Sequence, residues 1–124
     1  MDEIQTEAAP APIGPYSQAI RTGDTIYVSG QGPADPDSRE VEVVGIHEQT
    51  NQVLTNAAAV LSAAGASLDD VVETTVYLRD MADYEAVNTV YADHFSPPYP
   101  ARAAIEVAAL PIDVGVEISF RARV

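Results

Sequence analysis

The sequence of 124 residues contains no cysteine, no lysine and no tryptophan. Without cysteine, the chain can form no disulfide and no thiolate metal site, and it has no thiol nucleophile. Without lysine, only the terminal amino group is available for a Schiff base. The two histidines, His47 and His94, lie far apart with no further histidine beside either, so the ligand spacing of a zinc site is absent. We therefore expect neither a metal nor a cofactor.

Positive charge is also scarce, because six arginines stand against nineteen acidic residues and leave a formal net charge of −13. Binding to nucleic acids and anionic membranes depends on lysine and arginine, so we expect this protein to bind neither. An acid excess that retains arginine and dispenses with lysine is typical of cytoplasmic proteins of salt-accumulating halophiles. The chain also lacks a long apolar run, and its N-terminus is acidic, so we expect a cytoplasmic protein without a signal peptide.

The length predicts one domain over residues 1–124, with residues 1–9 as a loosely ordered lead-in. Two strand-like runs, 17–20 and 25–29, flank a glycine-containing turn and predict a hairpin. A further short strand is predicted at residues 41–44, at the edge of the sheet.

Two helices and a strand are predicted in the middle of the chain. Apolar residues at helical spacing predict a helix from residue 46 to 64 that ends at a glycine. Alternation of β-branched and polar residues predicts a strand over 71–78. A second helix should begin after Asp80 or Asp83 and end at Phe95. Its predicted buried face consists of Tyr84, Val87, Tyr91 and Phe95.

The last two predicted strands carry the main catalytic candidates. Arg102 is the only charge between His94 and Glu106, and it lies at the start of a strand among small and apolar residues. From Val114 the chain alternates, which places Glu117 on the face away from the core. If the two strands share one sheet, Arg102 and Glu117 are expected to line one surface.

The order of elements predicts an α/β sandwich, in which one mixed β-sheet carries two helices on one face. The other face must then contact solvent, a ligand or another subunit. Its small and aromatic residues indicate a subunit interface, so we expect an oligomer with sites between chains. The residues expected on this face are Arg102, Ala104, Glu117, Thr75 and Tyr77.

Four further residues have both a functional and a structural interpretation. Tyr16 follows a stiff proline-rich segment that can hold its ring in place, but the same spacing suits a packing residue. Ser29 and Gly30 lie at a strand end where glycine lets a ligand approach the backbone, although an ordinary turn explains the pattern better. Asn88 borders a buried helix face, where amides satisfy backbone groups as often as they serve a site.

Several motifs follow one another along nearly the whole chain. They are Ala-Pro-Ile-Gly-Pro-Tyr-Ser-Gln at 11–18, Val-Ser-Gly-Gln at 28–31, Gln49 with Asn56 and Ala-Ala-Gly in the first helix, Val-Asn-Thr-Val-Tyr at 87–91, Pro-Ala-Arg at 100–102, Leu-Pro at 110–111 and Val-Glu-Ile at 116–118. In this order they resemble the RidA family of reactive-intermediate (enamine and imine) deaminases, over residues 9–124.

The resemblance implies a chorismate-mutase-like α/β fold and a homotrimer with three clefts between its subunits. It implies hydrolysis of 2-imino acids or their enamine tautomers (2-aminoacrylate, 2-iminopropanoate, 2-iminobutanoate) to 2-oxo acids and ammonia. Arg102 would hold the substrate carboxylate as a bidentate pair, and Glu117 would position or activate the attacking water. Beside Arg102, the pKa of Glu117 is expected to be lowered, which makes it a weaker base. The pocket would be lined by Tyr16, Ser29, Gly30, Asn88 and Ala104.

The sequence departs from the family pattern at two places. Ala103 and Ala104 stand where the family often has serine and cysteine, which affects the expected substrate preference more than the activity. The turn at 38–40 lacks its usual glycine, which indicates a local rearrangement.

Other functions remain open at this point. Arg102 and Glu117 are also consistent with an ion pair that only joins subunits. The chain is further compatible with a ligand-binding or chaperone-like regulatory trimer. An RNA partner is disfavoured by the charge, and chorismate mutase activity by the presence of one well-placed arginine where several cations are needed.

Overall fold

The computed structural model describes residues 1–124 as one six-stranded mixed sheet with two α-helices packed on one face, as predicted. The strands are β1 (Asp2–Ile4), β2 (Ala19–Thr22), β3 (Thr25–Gln31), β4 (Val71–Leu78), β5 (Ala101–Glu106) and β6 (Val116–Arg123). The helices are α1 (Ile46–Ala63) and α2 (Tyr84–His94), and short 3-10 helices at Leu68–Asp70 and Met81–Asp83 precede β4 and α2. Neither α-helix combines the length and the apolar character needed to cross a bilayer.

The strand order across the sheet is β1-β2-β3-β6-β4-β5. Only β4 and β5 run parallel, because α2 connects them as a crossover, and all other neighbours are antiparallel. The last strand in sequence, β6, therefore lies in the centre of the sheet between β3 and β4. Strand β6 is thus paired along both of its edges.

The core lies between α1, α2 and the covered face of the sheet, where alternate residues of β4 and β6 point toward the helices. Removing this apolar surface from water contributes about 25 cal/mol per Å² to folding. The predicted buried face of α1 is confirmed in full, and Gly65 follows the helix at φ +80°, a left-handed conformation that suits glycine. The predicted apolar positions, all of them buried, are Val53, Leu54, Ala57, Val60, Leu61 and, directly after the helix, Ala64.

The N-terminal segment is more ordered than its composition indicates. Residues 2–4 form β1, which pairs with β2. The buried side chain of Gln18 fastens the following residues, since its Oε1 accepts the Thr6 amide at 2.7 Å and its Nε2 donates to the carbonyls of Thr6, Ala9 and Pro10. The expectation of a loose lead-in at 1–9 is wrong, because a three-residue strand is too short to show a period and its anchor lies outside the segment.

No strand forms at residues 41–44, so the predicted edge strand is wrong. Val44 is 91% exposed and its backbone pairs with no strand, which alternation alone could not reveal. The preceding turn is organised by Asp35, whose carboxylate accepts two backbone amides at 2.9 and 3.0 Å. In this glycine-free turn Arg39 adopts φ +64°, a left-handed conformation that glycine adopts more easily.

The predicted face of α2 is confirmed for Val87, Tyr91 and Phe95, which are buried. Tyr84 is an exception, because it is 37% exposed and its hydroxyl contacts Arg102 on β5 instead of the core. The 3-10 helix before α2 is capped by Asp80, whose carboxylate accepts the Ala82 amide at 2.8 Å.

The fold neutralises little of its negative charge. Its only two ion pairs are exposed, Arg79 with Asp113 at 3.3 Å and Arg121 with Glu73 at 3.6 Å. Exposed pairs of this kind stabilise a protein by about 0–1 kcal/mol each. Most of the nineteen acidic side chains therefore repel one another without a paired cation.

We expect the melting temperature to rise when NaCl is increased from about 0.1 M to about 1 M, because the Debye length falls from about 10 Å to about 3 Å and screens this repulsion. Thermal unfolding followed by circular dichroism measures the effect. A variant with Glu40→Gln and Glu42→Gln, both in the exposed loop before α1, should gain less from salt. A melting temperature that does not change with salt would contradict the prediction.

Candidate active site

The strand registers place Arg102 and Glu117 on opposite faces of the sheet. Arg102 lies opposite Thr74 on β4, and Glu117 lies opposite Tyr77. Thr74 points toward α2, where it shares a hydrogen bond of 2.8 Å with the hydroxyl of Tyr91. Because Thr74 and Tyr77 are three residues apart in one strand, they point to opposite faces. The expectation that Arg102 and Glu117 line one surface is therefore wrong within a single chain.

The register between neighbouring strands explains why Arg102 and Glu117 lie on opposite faces. Alternation gives the two faces of each strand, but the register between β4, β5 and β6 decides which faces coincide. Ala104 shares the helix-covered side with Arg102 and packs partly buried against the core. The open face keeps three of the five residues expected there, Thr75, Tyr77 and Glu117, and lacks Arg102 and Ala104.

The guanidinium of Arg102 is held by three side chains of α2. Its Nη2 donates to Asn88 Oδ1 at 2.8 Å and to the Tyr84 hydroxyl at 3.1 Å. Its Cζ lies 4.8 Å from the ring centroid of Tyr91 and 5.6 Å from that of Tyr84, within the range of a cation–π interaction. Arg102 forms no ion pair in the chain. These four residues, the Arg102 cluster, thus present one oriented positive charge that an anion can pair with.

On the open face, Glu117 borders a cavity of about 450 Å³. Its walls come from the proline-rich loop before β2, the end of β3 and the loop before β6. The structure brings four of the predicted site residues together here, and these are Tyr16, Ser29, Gly30 and Glu117. The rest of the lining consists of Pro10, Ala11, Ile13, Gln18, Gln31, Gly32, Ala34, Pro111 and Ile112.

The carboxyl group of Glu117 is half-buried and makes no hydrogen bond or ion pair within the chain. Burial raises its pKa above the ordinary value, because the charged form loses part of its hydration. A lowered pKa was expected from a nearby Arg102, and that expectation is wrong for the single chain because Arg102 faces the other side of the sheet.

Tyr16 and Ser29 are fixed by local hydrogen bonds. The Tyr16 hydroxyl accepts the Ile13 amide at 3.2 Å, and its ring is 51% exposed, so Tyr16 is no core packing residue. Ser29 Oγ donates to the Ser17 carbonyl at 2.6 Å, which commits its hydrogen and leaves its lone pairs as acceptors toward the cavity.

Two other motif residues, Gln49 and Asn56 of α1, support the cavity without lining it. Gln49 Oε1 accepts the Gly115 amide at 2.8 Å, and Gln49 Nε2 donates to the Val44 carbonyl at 3.1 Å. The fully buried Asn56 donates to two carbonyls in the loop 32–34. These amides therefore hold the loops on both sides of the cavity against α1.

Tyr84 was not expected as a partner of Arg102, because helical spacing placed it on the buried face of α2. A signal was available, since Tyr84, Asn88 and Tyr91 are spaced by four and three residues and must share one side of α2. The cavity residues Pro111 and Ile112 were also missed, because nothing local distinguishes them from other loop residues.

Comparisons with known proteins agree with this fold. A family model described as Endoribonuclease L-PSP matches residues 6–124. A RutC family protein of Pyrococcus horikoshii is 53% identical over 115 residues, which cover 93% of this chain and 91% of that protein. A 2-iminobutanoate/2-iminopropanoate deaminase of Capra hircus is 50% identical over 115 residues, which cover 93% of this chain and 84% of that protein. The crystal structure of RidA from an Antarctic Psychrobacter matches the full length of both chains, with a TM-score of 0.97 and 45% identity. The chain therefore belongs to the Endoribonuclease L-PSP family, which includes the RutC and RidA proteins.

Proposed function

We propose that this protein hydrolyses 2-imino acids and their enamine tautomers to 2-oxo acids and ammonia, in clefts between the subunits of a homotrimer. One observation carries the proposal. Arg102, an oriented cation without an ion-pair partner, and Glu117, a carboxyl group without a partner, lie on opposite faces of one sheet. Relatives named 2-iminobutanoate/2-iminopropanoate deaminase, about 50% identical to this chain, support the same activity.

The geometry favours a site shared by two chains. Neighbouring strands lie about 4.8 Å apart, so Arg102 on β5 and Glu117 on β6 are separated by about 10 Å across the sheet. The registers add three residues along the strands, about another 10 Å. A 2-imino acid has its carboxylate and reacting carbon directly bonded, so one small substrate cannot reach both groups of one chain. A second copy must supply one of them.

The open face is suited to contact such a copy. It presents Tyr27 and Ile105, each 45% exposed, beside the small residues Ala101 and Ala103. Exposed apolar surface of this kind is typical of subunit interfaces. Docking another chain on this face can bring the neighbour's Arg102 cluster to the cavity at Glu117.

In the proposed reaction, Arg102 binds the substrate carboxylate. Asn88 holds the guanidinium in a fixed orientation by accepting a hydrogen bond from its Nη2. Water attacks C2 of the protonated imine while Glu117 accepts a proton from that water. In the resulting carbinolamine, Glu117 returns the proton to nitrogen and the C–N bond breaks. The hydroxyl proton passes to Glu117 and from there to the departing ammonia. The products are a 2-oxo acid and ammonium. Because a protonated imine is already electrophilic, these steps require no metal and no covalent nucleophile.

The direct test of the proposal generates an imino acid in situ, with an amino-acid oxidase or a pyridoxal-phosphate dehydratase, and follows release of the 2-oxo acid with and without this protein. We expect the folded wild type to accelerate release. If the folded protein accelerates release of the 2-oxo acid from none of the small imino acids tested, the deaminase hypothesis is wrong.

The rate should depend on pH through Glu117. Only the ionised carboxylate can accept a proton, so kcat/KM is expected to rise with pH through the pKa of Glu117, which burial raises in the single chain and the neighbour's Arg102 lowers in a shared cleft. In the single chain the stability effect has the opposite sign, because Glu117 with a raised pKa stabilises the fold fully below its unfolded pKa and this contribution is lost as pH rises through the folded pKa. A pH–rate profile corrected for uncatalysed hydrolysis measures the first effect, and melting curves at several pH values measure the second.

Glu117→Gln should therefore abolish most activity without lowering the melting temperature at neutral pH. A matched control is Glu73→Gln, which changes an exposed carboxylate on the same face of the sheet. A Glu117→Gln protein that keeps the wild-type rate would show that no proton passes through this residue.

Because Gly30 has no side chain, the carboxyl group of Glu117 can occupy the space beside its Cα. A Cβ at position 30 would lie 2.8 Å from Glu117 Oε1 and 2.9 Å from its Cδ, so Gly30→Ala must displace the carboxylate. We expect kcat/KM to fall by about 10²-fold, the order of loss that a displacement of about 1 Å produces. Gly32→Ala is the control, because its Cβ would meet only the end of the Ile112 side chain, at 3.3 Å. Equal rates for both variants would argue against a positioned Glu117.

The name of the family model also raises the possibility of RNA cleavage, which the residues of this chain disfavour. With a net charge of −13 the surface repels phosphate. Neither histidine lines the cavity, so neither can serve there as an acid or base, and His94 instead shares a hydrogen bond of 2.9 Å with Asn51 on α1.

A further inference from the structure

Two side chains of the Arg102 cluster accept hydrogen bonds from the same atom. Asn88 Oδ1 and the Tyr84 hydroxyl both take a hydrogen from Nη2 of Arg102, at 2.8 and 3.1 Å. Nη2 carries two hydrogens, so both are engaged. Nε and Nη1 of Arg102 donate to no group of the chain.

This arrangement conflicts with bidentate binding of a carboxylate. The guanidinium offers two planar edges with parallel N–H groups, one formed by Nη1 and Nη2 and the other by Nε and Nη2. Both edges include Nη2. A carboxylate that binds to two nitrogens of Arg102 must therefore displace Asn88 or Tyr84.

Tyr84 is the partner that can leave. Its contact to Nη2 is longer than that of Asn88, and its side chain is 37% exposed at the first turn of α2. Asn88 is less exposed and lies one turn further along the helix, between Tyr84 and the buried Tyr91. Moving Tyr84 breaks one exposed hydrogen bond, whereas moving Asn88 would break the shorter and less exposed one.

We propose that the Tyr84 hydroxyl is an exchangeable partner of Arg102: the substrate carboxylate replaces it on Nη2, and the hydroxyl then donates a hydrogen bond to that carboxylate. Tyr84 is thereby a substrate-binding residue. The inference rests on the proposed function, in which Arg102 binds the carboxylate.

A measurable linkage follows, because the tyrosinate and the substrate carboxylate compete for one cation. Hydrogen bonds from Arg102 and Asn88, together with the charge of Arg102, lower the pKa of Tyr84. A bound carboxylate removes the cation and places an anion beside the phenol, so the pKa of Tyr84 must rise on binding. By reciprocity, ionisation of Tyr84 must weaken carboxylate binding by the same factor.

Arg102 is the only cation that touches the phenol. Apart from Arg79, which pairs with Asp113, the other charged groups near the start of α2 are acidic, and none hydrogen-bonds to Tyr84. They disfavour the tyrosinate with or without a bound carboxylate and leave the sign of the linkage unchanged. These groups are Asp80 and Asp83 before α2, Glu85 on α2, and Glu106 on β5, which accepts the Met81 amide at 2.9 Å.

The experiment titrates the six tyrosines by their near-ultraviolet absorbance, which is free of tryptophan in this chain. The probe is 2-oxobutanoate, a product of the proposed reaction that carries the carboxylate and cannot be turned over. In the wild type, one tyrosine should ionise below the others, and saturating 2-oxobutanoate should move that step to higher pH. Tyr84→Phe should lack the early step, whereas Tyr99→Phe, which changes another exposed tyrosine, should retain it.

Calorimetry on the same proteins measures the reciprocal effect. The Kd of 2-oxobutanoate should rise by about tenfold per pH unit above the pKa of Tyr84 in the wild type, and it should stay level in Tyr84→Phe. If the ligand shifts no tyrosine and Kd ignores the ionisation, Tyr84 remains fixed on Arg102 and the inference is wrong. If the wild type binds 2-oxobutanoate and hydrolyses imines but shows no linkage, only this inference fails. A wild type that does neither overturns the proposed function as well.

Discussion

Replacement of Arg102 by alanine is expected to lower kcat/KM for imine hydrolysis by about 30-fold to about 5,000-fold, since loss of one partner of a hydrogen-bonded charge pair costs about 2–5 kcal/mol. Arg102 is the only charge of its cluster, and no other cation of the chain contacts Tyr84, Asn88 or Tyr91. The loss should therefore appear mainly as a raised KM, because the residue binds the carboxylate in both the ground state and the transition state.

Two further variants separate charge from geometry. Arg102→Lys keeps the positive charge but loses the planar fork, so its activity should lie between those of the wild type and Arg102→Ala. Arg79→Ala, which removes an exposed arginine paired only with Asp113, should keep the wild-type rate. The assay is 2-oxo acid release from an imine generated in situ.

Light scattering on the same samples tests the competing interpretation, in which Arg102 only joins subunits. That interpretation predicts smaller particles for Arg102→Ala. Lost activity in an intact oligomer supports carboxylate binding. Full activity without Arg102 would instead favour a ligand-binding or chaperone-like protein.

Local patterns in the sequence were sufficient for most of the secondary structure. The helical spacing of apolar residues located α1, and strict alternation located β4 and β6, because each of these elements buries one continuous face. The edge of the sheet was predicted poorly. β1 is too short to show a period, and the run at 41–44 alternates without pairing, which only tertiary structure decides.

The candidate site shows the same limit at the level of side chains. Arg102 was recognised because it is a charge among apolar neighbours. Glu117 was recognised because it lies on the polar face of an alternating strand. Their relative position depends on two strand registers that no local pattern encodes. In the single chain, burial therefore raises the pKa of Glu117, and the lowering expected beside Arg102 requires the arginine of a neighbouring chain. Tyr84 was missed because helical spacing cannot distinguish a core contact from a contact with a strand edge.

Activity should return when two inactive variants are combined, because each proposed cleft takes Arg102 from one chain and Glu117 from its neighbour. Arg102→Ala chains retain Glu117, and Glu117→Gln chains retain Arg102. After co-refolding of equal amounts with random association, about one cleft in four should contain both native residues, a half chance for each. We therefore expect about a quarter of the wild-type activity, whereas each variant alone remains inactive.

A site within one chain predicts a different result, because every chain in the mixture would still lack one residue and no activity would return. The matched control mixes wild type with the double variant Arg102→Ala/Glu117→Gln in equal amounts. With shared clefts, about a quarter of the clefts keep both residues, and activity per wild-type chain falls to about half. With single-chain sites, activity per wild-type chain does not change. Light scattering must first show that the double variant enters the oligomers, because only then does it dilute the wild-type chains and separate the two outcomes.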